Sequence, residues 1–318
     1  MKHVLHLALA LALIGLAIGK LGPRFGWFPA PLELVMAEGD RSEVDDKTSL
    51  YLDKFEILRY PSGKIRQYVS SVKVVDRDDG RLSAAEIRVN HPLRVNGWWI
   101  YQYGYGPDQT DTMCTQLRCV KDRGLPVAAL GGFLLLFGTF VLCFRKREDV
   151  PPSADGWRKW AGFAAGAATV AVPVFIIGRA VLRPEPVPAL QSWLMAPHVA
   201  AYSASYLILL FAAFGIGRRL VPVGFFLMTL GLVLGAVWGK LAWSEWWQFD
   251  PKENWSFVTW LAFAAYLHVR PGSRAAAWLL RLGAVLILVT LTWVNFSRMF
   301  TGLHSYAFDV ISQESGRA

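Results

Sequence analysis

Seven apolar runs, each approaching the length needed to cross a bilayer, constrain this chain more than any other feature. They are Val4–Gly19, Leu125–Phe144, Trp160–Ile177, Pro197–Gly217, Val221–Trp243, Trp255–Val269 and Ala275–Ser297. A hydrocarbon core of about 30 Å takes roughly 20 helical residues, and only structures that pair their own backbone groups persist inside it. A composition of 54% hydrophobic and 18% charged residues agrees with this reading. The expected fold class is therefore mainly α: a polytopic membrane helical bundle of about seven spans, with one long polar insertion after the first.

The first run follows Lys2 as a signal peptide would, yet no small-x-small cleavage pattern precedes "KLGPRFGW". We read residues 1–20 as an uncleaved membrane anchor. Basic residues are retained on the cytoplasmic side of short loops. Arg145, Lys146 and Arg147, then Arg218 and Arg219, then Arg270 and Arg274 mark three loops that share one side if the N-terminus is cytoplasmic. The tryptophan-rich stretch near position 245 and the C-terminus then lie on the extracytoplasmic side. The net charge of +9 reads as this topology signal plus contact with anionic lipid. Nucleic acid is excluded as a partner because the basic residues are scattered through short loops.

Residues 21–124 form the polar insertion. Alternation and β-branched residues in "YLDKFEILRY", "IRQYVSSVKVVD", "AAEIRVN" and "GWWIYQYGYG" predict strands, with turns at Pro61-Ser62-Gly63 and Asp78-Asp79-Gly80. This is a small β-rich extracytoplasmic domain with its strands between Thr48 and Gly106, marginal alone and expected to pack on another domain or chain. Residues 125–318 form the membrane domain. Cys114 and Cys119 could pair in an oxidising compartment or remain two thiols, and Cys143 ends a span. The chain has no Cys-x-x-Cys-His, so it is not itself a c-type cytochrome.

Six of the fourteen tryptophans fall between Trp238 and Trp260. An aromatic belt at the headgroup level is one reading. A ligand platform is the other: a helix continuing past the membrane surface would put Trp243, Trp247 and Asp250 on one face beside Trp246. Pro251 then breaks the helix, and Glu253 falls near the positive end of the next. Edged by Lys240 and Lys252, such a surface suits a large planar ligand with peripheral carboxylates, of which haem is one.

Iron in haem takes imidazole as an axial ligand. His198 and His304 flank the tryptophan-rich stretch at the outer ends of the fourth and seventh spans, whereas His268 lies near the inner end of the sixth. A lone histidine in a span is often a helix–helix hydrogen-bonding group, but intramembrane ionisable groups are costly and usually functional.

"VWGKLAWSEWWQFDPKENWSFVTWLAFAAYLHVR" resembles the WWD segment of the CcsA/ResC cytochrome c biogenesis family. "LMAPHVAAYSASYLI" and "GLHSYA" resemble that family's other signatures in the right order, and "IRVNHPLRVNGWWIYQYGYG" resembles the C-terminal part of its partner CcsB/ResB. The resemblance runs from about Thr48 to Ala307 and implies a truncated CcsB-like external domain fused to a CcsA-like core. It implies a System II cytochrome c biogenesis function in the inner (cytoplasmic) membrane. In that function haem is transported across the membrane, presented and covalently attached to apocytochrome c, as by a holocytochrome c synthase subunit; a haem carrier without ligation activity is the alternative.

The carried-over residues are His198 and His304 as outer iron ligands, and His268 as a ligand of an inner site. Trp243, Trp246, Trp247 and Trp255 would cradle haem b, the bound substrate. Trp243, Trp246, Trp247, Asp250 and Glu253 would assist attachment, with helix capping equally open for the carboxylates and for Glu245. The second inner ligand is not placed: His3 and His6 sit at a suitable end of the first span, without a motif. His91 reads as an ordinary β-domain residue. Implied partners are an apocytochrome c bearing CxxCH, a thiol-reducing thioredoxin-like protein and a separate CcsB/ResB-like subunit, since only one span precedes the external region. Phe249 stands where the family commonly has a second tryptophan. A b-type electron-transfer protein usually places histidine pairs on facing helices within the bilayer, an arrangement this chain is expected to lack because its two best ligands sit outside.

Overall fold

The computed structural model describes residues 2–77, 80–108, 111–144, 160 and 185–293. Helix α1 (Lys2–Leu21) leads into eight strands: β1 (Leu32–Met36), β2 (Arg41–Glu43), β3 (Thr48–Arg59), β4 (Ile65–Asp76), β5 (Leu82–Arg88), β6 (Leu93–Val95), β7 (Trp98–Pro107) and β8 (Met113–Val120). Helices α2 (Leu125–Leu142), α3 (Met195–Ala213), α4 (Val221–Trp243), α5 (Pro251–His268) and α6 (Arg274–Leu288) follow, the last running into a π-helical turn at Val289–Trp293.

Five helical stretches among the described residues are long and apolar enough to cross a membrane: Val4–Leu21, Leu125–Leu142, Met195–Ala213, Arg218–Trp243 and Arg274–Thr292. The protein is therefore a multi-pass membrane protein, and five of the seven expected spans are confirmed among the described residues. The expected third span, apart from Trp160, lies outside the described residues. The expected sixth, α5, is helical but falls short in apolarity, its first turn carrying Lys252, Glu253 and Asn254.

The strands form two four-stranded antiparallel sheets, ordered β1-β8-β7-β6 and β2-β3-β4-β5. Period-2 alternation puts Leu50 and Leu52 of β3, Val72 and Val74 of β4, Ile87 of β5, Ile100 of β7 and Leu117 of β8 into one buried cluster, so the sheets face each other as a sandwich. A polar knot crosses the same interior. The Ser70 hydroxyl donates to Gln102 Oε1 at 2.7 Å, and Gln102 Nε2 donates to Thr115 Oγ1 at 2.8 Å. The sandwich is wider than the strands expected from Thr48 to Gly106. Short β1 and β2 and the cysteine-bearing β8 belong to it, and β8 lies inside a sheet rather than at its edge.

Cys114 and Cys119 both lie on β8, free and buried. Five residues of strand at about 3.3 Å each separate them by roughly 16 Å, far beyond the Cα separation a disulfide spans. The pairing left open by the sequence is therefore excluded. Burial pushes the Cys119 thiol up to about 12.

Small residues let α1 and α2 pack backbone to backbone: a Cβ at Gly131 would stand 2.2 Å from the Ala12 nitrogen. The core of the bundle gathers Tyr206, Leu209, Phe225, Met228, Trp260 and Phe263. Its polar groups are paired internally, as when Trp260 Nε1 donates to Thr229 Oγ1 at 2.9 Å.

The sandwich meets one end of the bundle at two places. The β3–β4 hairpin turns through Gly63 at φ 85°. Its tip holds the segment before α3: Tyr60 Oη donates to Pro186 O at 3.1 Å, and Ser62 Oγ to Glu185 Oε2 at 2.6 Å. The second meeting place, where β8 runs towards α2, is the tryptophan-rich loop.

Candidate functional site

The helix α4 does not run on through the tryptophan-rich stretch as expected. It ends at Trp243, and Ser244 takes a left-handed conformation at φ 68°, its N–H still donating to Lys240 O. The one-face arrangement of Trp243, Trp247 and Asp250 is thereby overturned, because the helical phase is lost at Ser244. The ammonium of buried Lys240 turns back to donate to Ser244 O at 3.0 Å and fixes this break. Residues 244–250 form a loop between two helices.

The start of the second helix is as the sequence predicts. Asp250 caps α5, accepting from Lys252 N at 2.8 Å, and Glu253 reaches back to the cap in a capping box, with Pro251 at the first helical position. Glu253 Oε2 also accepts from Gln248 N at 2.8 Å. Both carboxylates therefore hold the loop's exit in place.

The indoles are pinned individually. Trp246 Nε1 donates to Asp122 Oδ2 at 2.5 Å, and Trp247 Nε1 donates to Asn254 Oδ1 at 3.3 Å while its ring meets Phe257 edge-on. Trp243 lies against Trp238, ring centres 5.1 Å apart. Half-buried Trp255 accepts the Thr259 hydroxyl on its carbonyl at 2.7 Å. Lys240 is not available at a ligand edge as expected: it forms a buried ion pair with Asp122 at 2.9 Å. Glu245 pairs with Arg118 of β8 at 3.0 Å. Phe249 is exposed, with Lys20 of α1 4.9 Å from its ring centre.

His198, in the first turn of α3, joins this aromatic run. Its ring lies 5.9 Å from that of Trp238, which in turn contacts Trp243. Gly235 of α4 makes room, since a Cβ there would come within 2.7 Å of His198 Cε1. His198 Nδ1 lies 2.8 Å from Gly231 O. A carbonyl can only accept, so Nδ1 carries a proton, the orientation ordinarily found in metal-binding imidazoles. His304 lies outside the described residues.

At the other end of the bundle the structure brings together two histidines that the sequence left apart. His6 Nε2 and His268 Nε2 stand 3.1 Å apart with rings inclined by 14°. His268 Nδ1 donates to Ala264 O at 2.8 Å, so in the neutral ring Nε2 accepts, and His6 donates to it. A facing-helix histidine pair therefore exists after all. Nothing local to His6 announces it; the available signal was the cost of an ionisable group in an apolar span. Two imidazoles gripping one metal from opposite sides need about 4 Å between nitrogens, twice a bond of roughly 2.0 Å. The pair is hydrogen-bonded and would have to part by about 1 Å to do so. His91 sits in a turn, bridged to Arg88 within the sandwich.

A helical bundle with a β-sandwich seated on one end and imidazoles near both ends defines a multi-pass membrane protein with an extramembrane β domain. Residues 215–304 match the Cytochrome C assembly protein family, and residues 1–118 match the ResB-like family. The cytochrome c biogenesis protein CcsA of Prochlorococcus marinus strain AS9601 is 48% identical over 94 residues, covering 28% of this chain and 30% of that protein. That of Synechococcus sp. strain WH7803 is 45% identical over 94 residues, covering 28% and 29%. The chain thus spans under a third of the length of these relatives. It carries a ResB-like region and a CcsA-like cytochrome c assembly region in one polypeptide, a fusion-like arrangement. His6 and His268 belong one to each region, as do Arg118 and Glu245.

Proposed function

We propose that the protein serves cytochrome c biogenesis of the System II kind, moving haem b from an inner to an outer site and presenting it for attachment to apocytochrome c. The observation that carries this reading is the His6–His268 contact, which unites the ResB-like and assembly regions at one imidazole pair. With the N-terminus cytoplasmic in the inner membrane, that pair marks the entry side. The sandwich, the tryptophan loop and His198 then lie outside. The division into anchor 1–20, external region 21–124 and membrane domain 125–318 belongs to the same reading.

Haem is the cargo here. At the inner end the two Nε2 atoms would take its iron after parting. At the outer end His198, its Nδ1 held on Gly231 O, would share the iron with His304. Trp243, Trp246, Trp247 and Trp255 would support the ring. The loop is held by Asp250 and Glu253 rather than by helical continuity, so these carboxylates act by positioning. In attachment, each cysteine S–H of a CxxCH segment adds across a vinyl C=C of the haem. The protein contributes orientation and exclusion of competing chemistry, the usual share of a cofactor-handling scaffold. A thioredoxin-like reductant keeps the thiols available. The matched families favour haem passage over b-type electron transfer.

Expression with an apocytochrome c in a host lacking its own maturation system tests the proposal. Covalent cytochrome c is the expected product. Haem bound without product, even with an added CcsB/ResB-like subunit, would leave a carrier; no haem at all would refute the reading.

A further inference from the structure

We infer that Asp122, in the segment joining the sandwich to α2, is a positioning residue that sets the conformation of the tryptophan loop. The inference rests on the proposed haem-handling role for its functional consequence, but its structural half stands alone. Asp122 lies between β8 and α2, where four elements converge. Its Oδ1 accepts from Leu125 N at 3.1 Å, fixing the first turn of α2. Its Oδ2 accepts from Trp246 Nε1 at 2.5 Å and pairs with Lys240 Nζ at 2.9 Å. Gly19 of α1 approaches so closely that a Cβ there would stand 3.2 Å from Oδ1.

The ion pair is sealed, with 4% of each side chain exposed. Burying two charges is costly, and a pair of apolar residues would serve stability as well or better. A stability role alone therefore does not account for it. Its geometry suggests a different one: a single carboxylate fixes the indole of Trp246 and the ammonium that locks the left-handed turn at Ser244. Arg118 to Glu245 at 3.0 Å and Lys20 to Trp247 O at 3.3 Å run alongside. Every polar contact reaching the loop from outside the assembly region, among those described, comes from α1, β8 or the segment joining β8 to α2. Lys20 of α1, Arg118 of β8 and Asp122 of the joining segment thus hold the loop in one shape.

The test is hydrogen exchange of the full chain in detergent, read over residues 244–250, together with haem content. In Asp122→Asn the loop should exchange roughly tenfold faster or more, while β3 and β4 keep their protection and bound haem changes its absorption. The double variant Asp122→Leu/Lys240→Met removes the buried charges and should regain thermal stability, yet keep the fast loop and the altered haem. Restoration of both loop protection and haem by the double variant, or an unchanged loop in Asp122→Asn, would overturn the inference. If the unmodified chain binds no haem, the functional proposal fails while the exchange comparison still decides this one.

Discussion

His6 and His268, 262 positions apart in sequence, meet nitrogen to nitrogen at 3.1 Å and are the only pair of imidazoles in contact among the described residues. One lies on the helix that precedes the sandwich and the other closes α5, so the contact ties the two matched regions at the end of the bundle remote from the loop. Because one donates and the other accepts, the pair acts as a unit.

Replacing either histidine should therefore lower the haem that copurifies by roughly tenfold or more, a loss of the size seen when the support of a metal ligand is removed. The double variant should lose little beyond either single one, since coupled groups are not additive. Haem content per protein by pyridine haemochrome assay decides this. Losses that multiply would show that the two act at separate places.

Gly235→Ala separates stability from ligand geometry. In a helix interior the change ordinarily gains about 1 kcal/mol. Here the new Cβ would come within 2.7 Å of His198 Cε1 and 2.9 Å of Nδ1, displacing the ring from Gly231 O. We expect melting to change little and the haem spectrum to move toward that of His198→Ala. A spectrum identical to the unmodified protein would show that the seat of His198 on α4 is irrelevant.

The sandwich has an acid-sensitive anchor in Asp45. Burial pushes its carboxyl up, but hydrogen bonds from the Trp98 indole at 2.7 Å, from Lys121, from the Lys47 backbone and from the Thr48 side chain outweigh this and hold it down to about 2. A depressed carboxyl stabilises the fold above its unfolded value near 3.9 and loses that contribution as pH falls through 2. The share is about 2 kcal/mol. Asp45→Asn should lower the melting point at pH 7 and flatten its fall between pH 4 and pH 2. A variant with the parent's pH profile would contradict the assignment.

Cys119 tests the strand register. Its thiol is buried and pushed up to about 12, so a maleimide should leave it unmodified in the folded chain and label it after denaturation. Neither reducing agent nor its absence should shift electrophoretic mobility through a Cys114–Cys119 link. Recovery of that link by peptide mapping would refute the β8 pairing.

The bundle and the turn at Gly63 were legible in the sequence because apolar length and turn chemistry are local signals. So was the start of α5, where Asp250, Pro251 and Glu253 supply cap, first position and box. The end of α4 was not legible. Ser244 carries no breaker signature, and the residue that stops the helix, Lys240, acts through a carboxylate 118 positions away, in a segment that reads only as a charged lead-in to a span. The same holds for His6, whose partner is fixed by helix packing rather than by neighbours. Strand β8 was missed because Cys114, Gln116 and Arg118 dilute its pattern, although its inward residues Thr115, Leu117 and Cys119 alternate regularly.

The measurement that bears most directly on the central claim is the absorption spectrum of the purified full chain with His198→Ala and His304→Ala in turn, with and without added imidazole. The account predicts a low-spin, two-imidazole spectrum in the unmodified protein, its loss in each variant together with cytochrome c yield, and recovery of both when imidazole is supplied. Variants that keep the parent spectrum and full yield would contradict it.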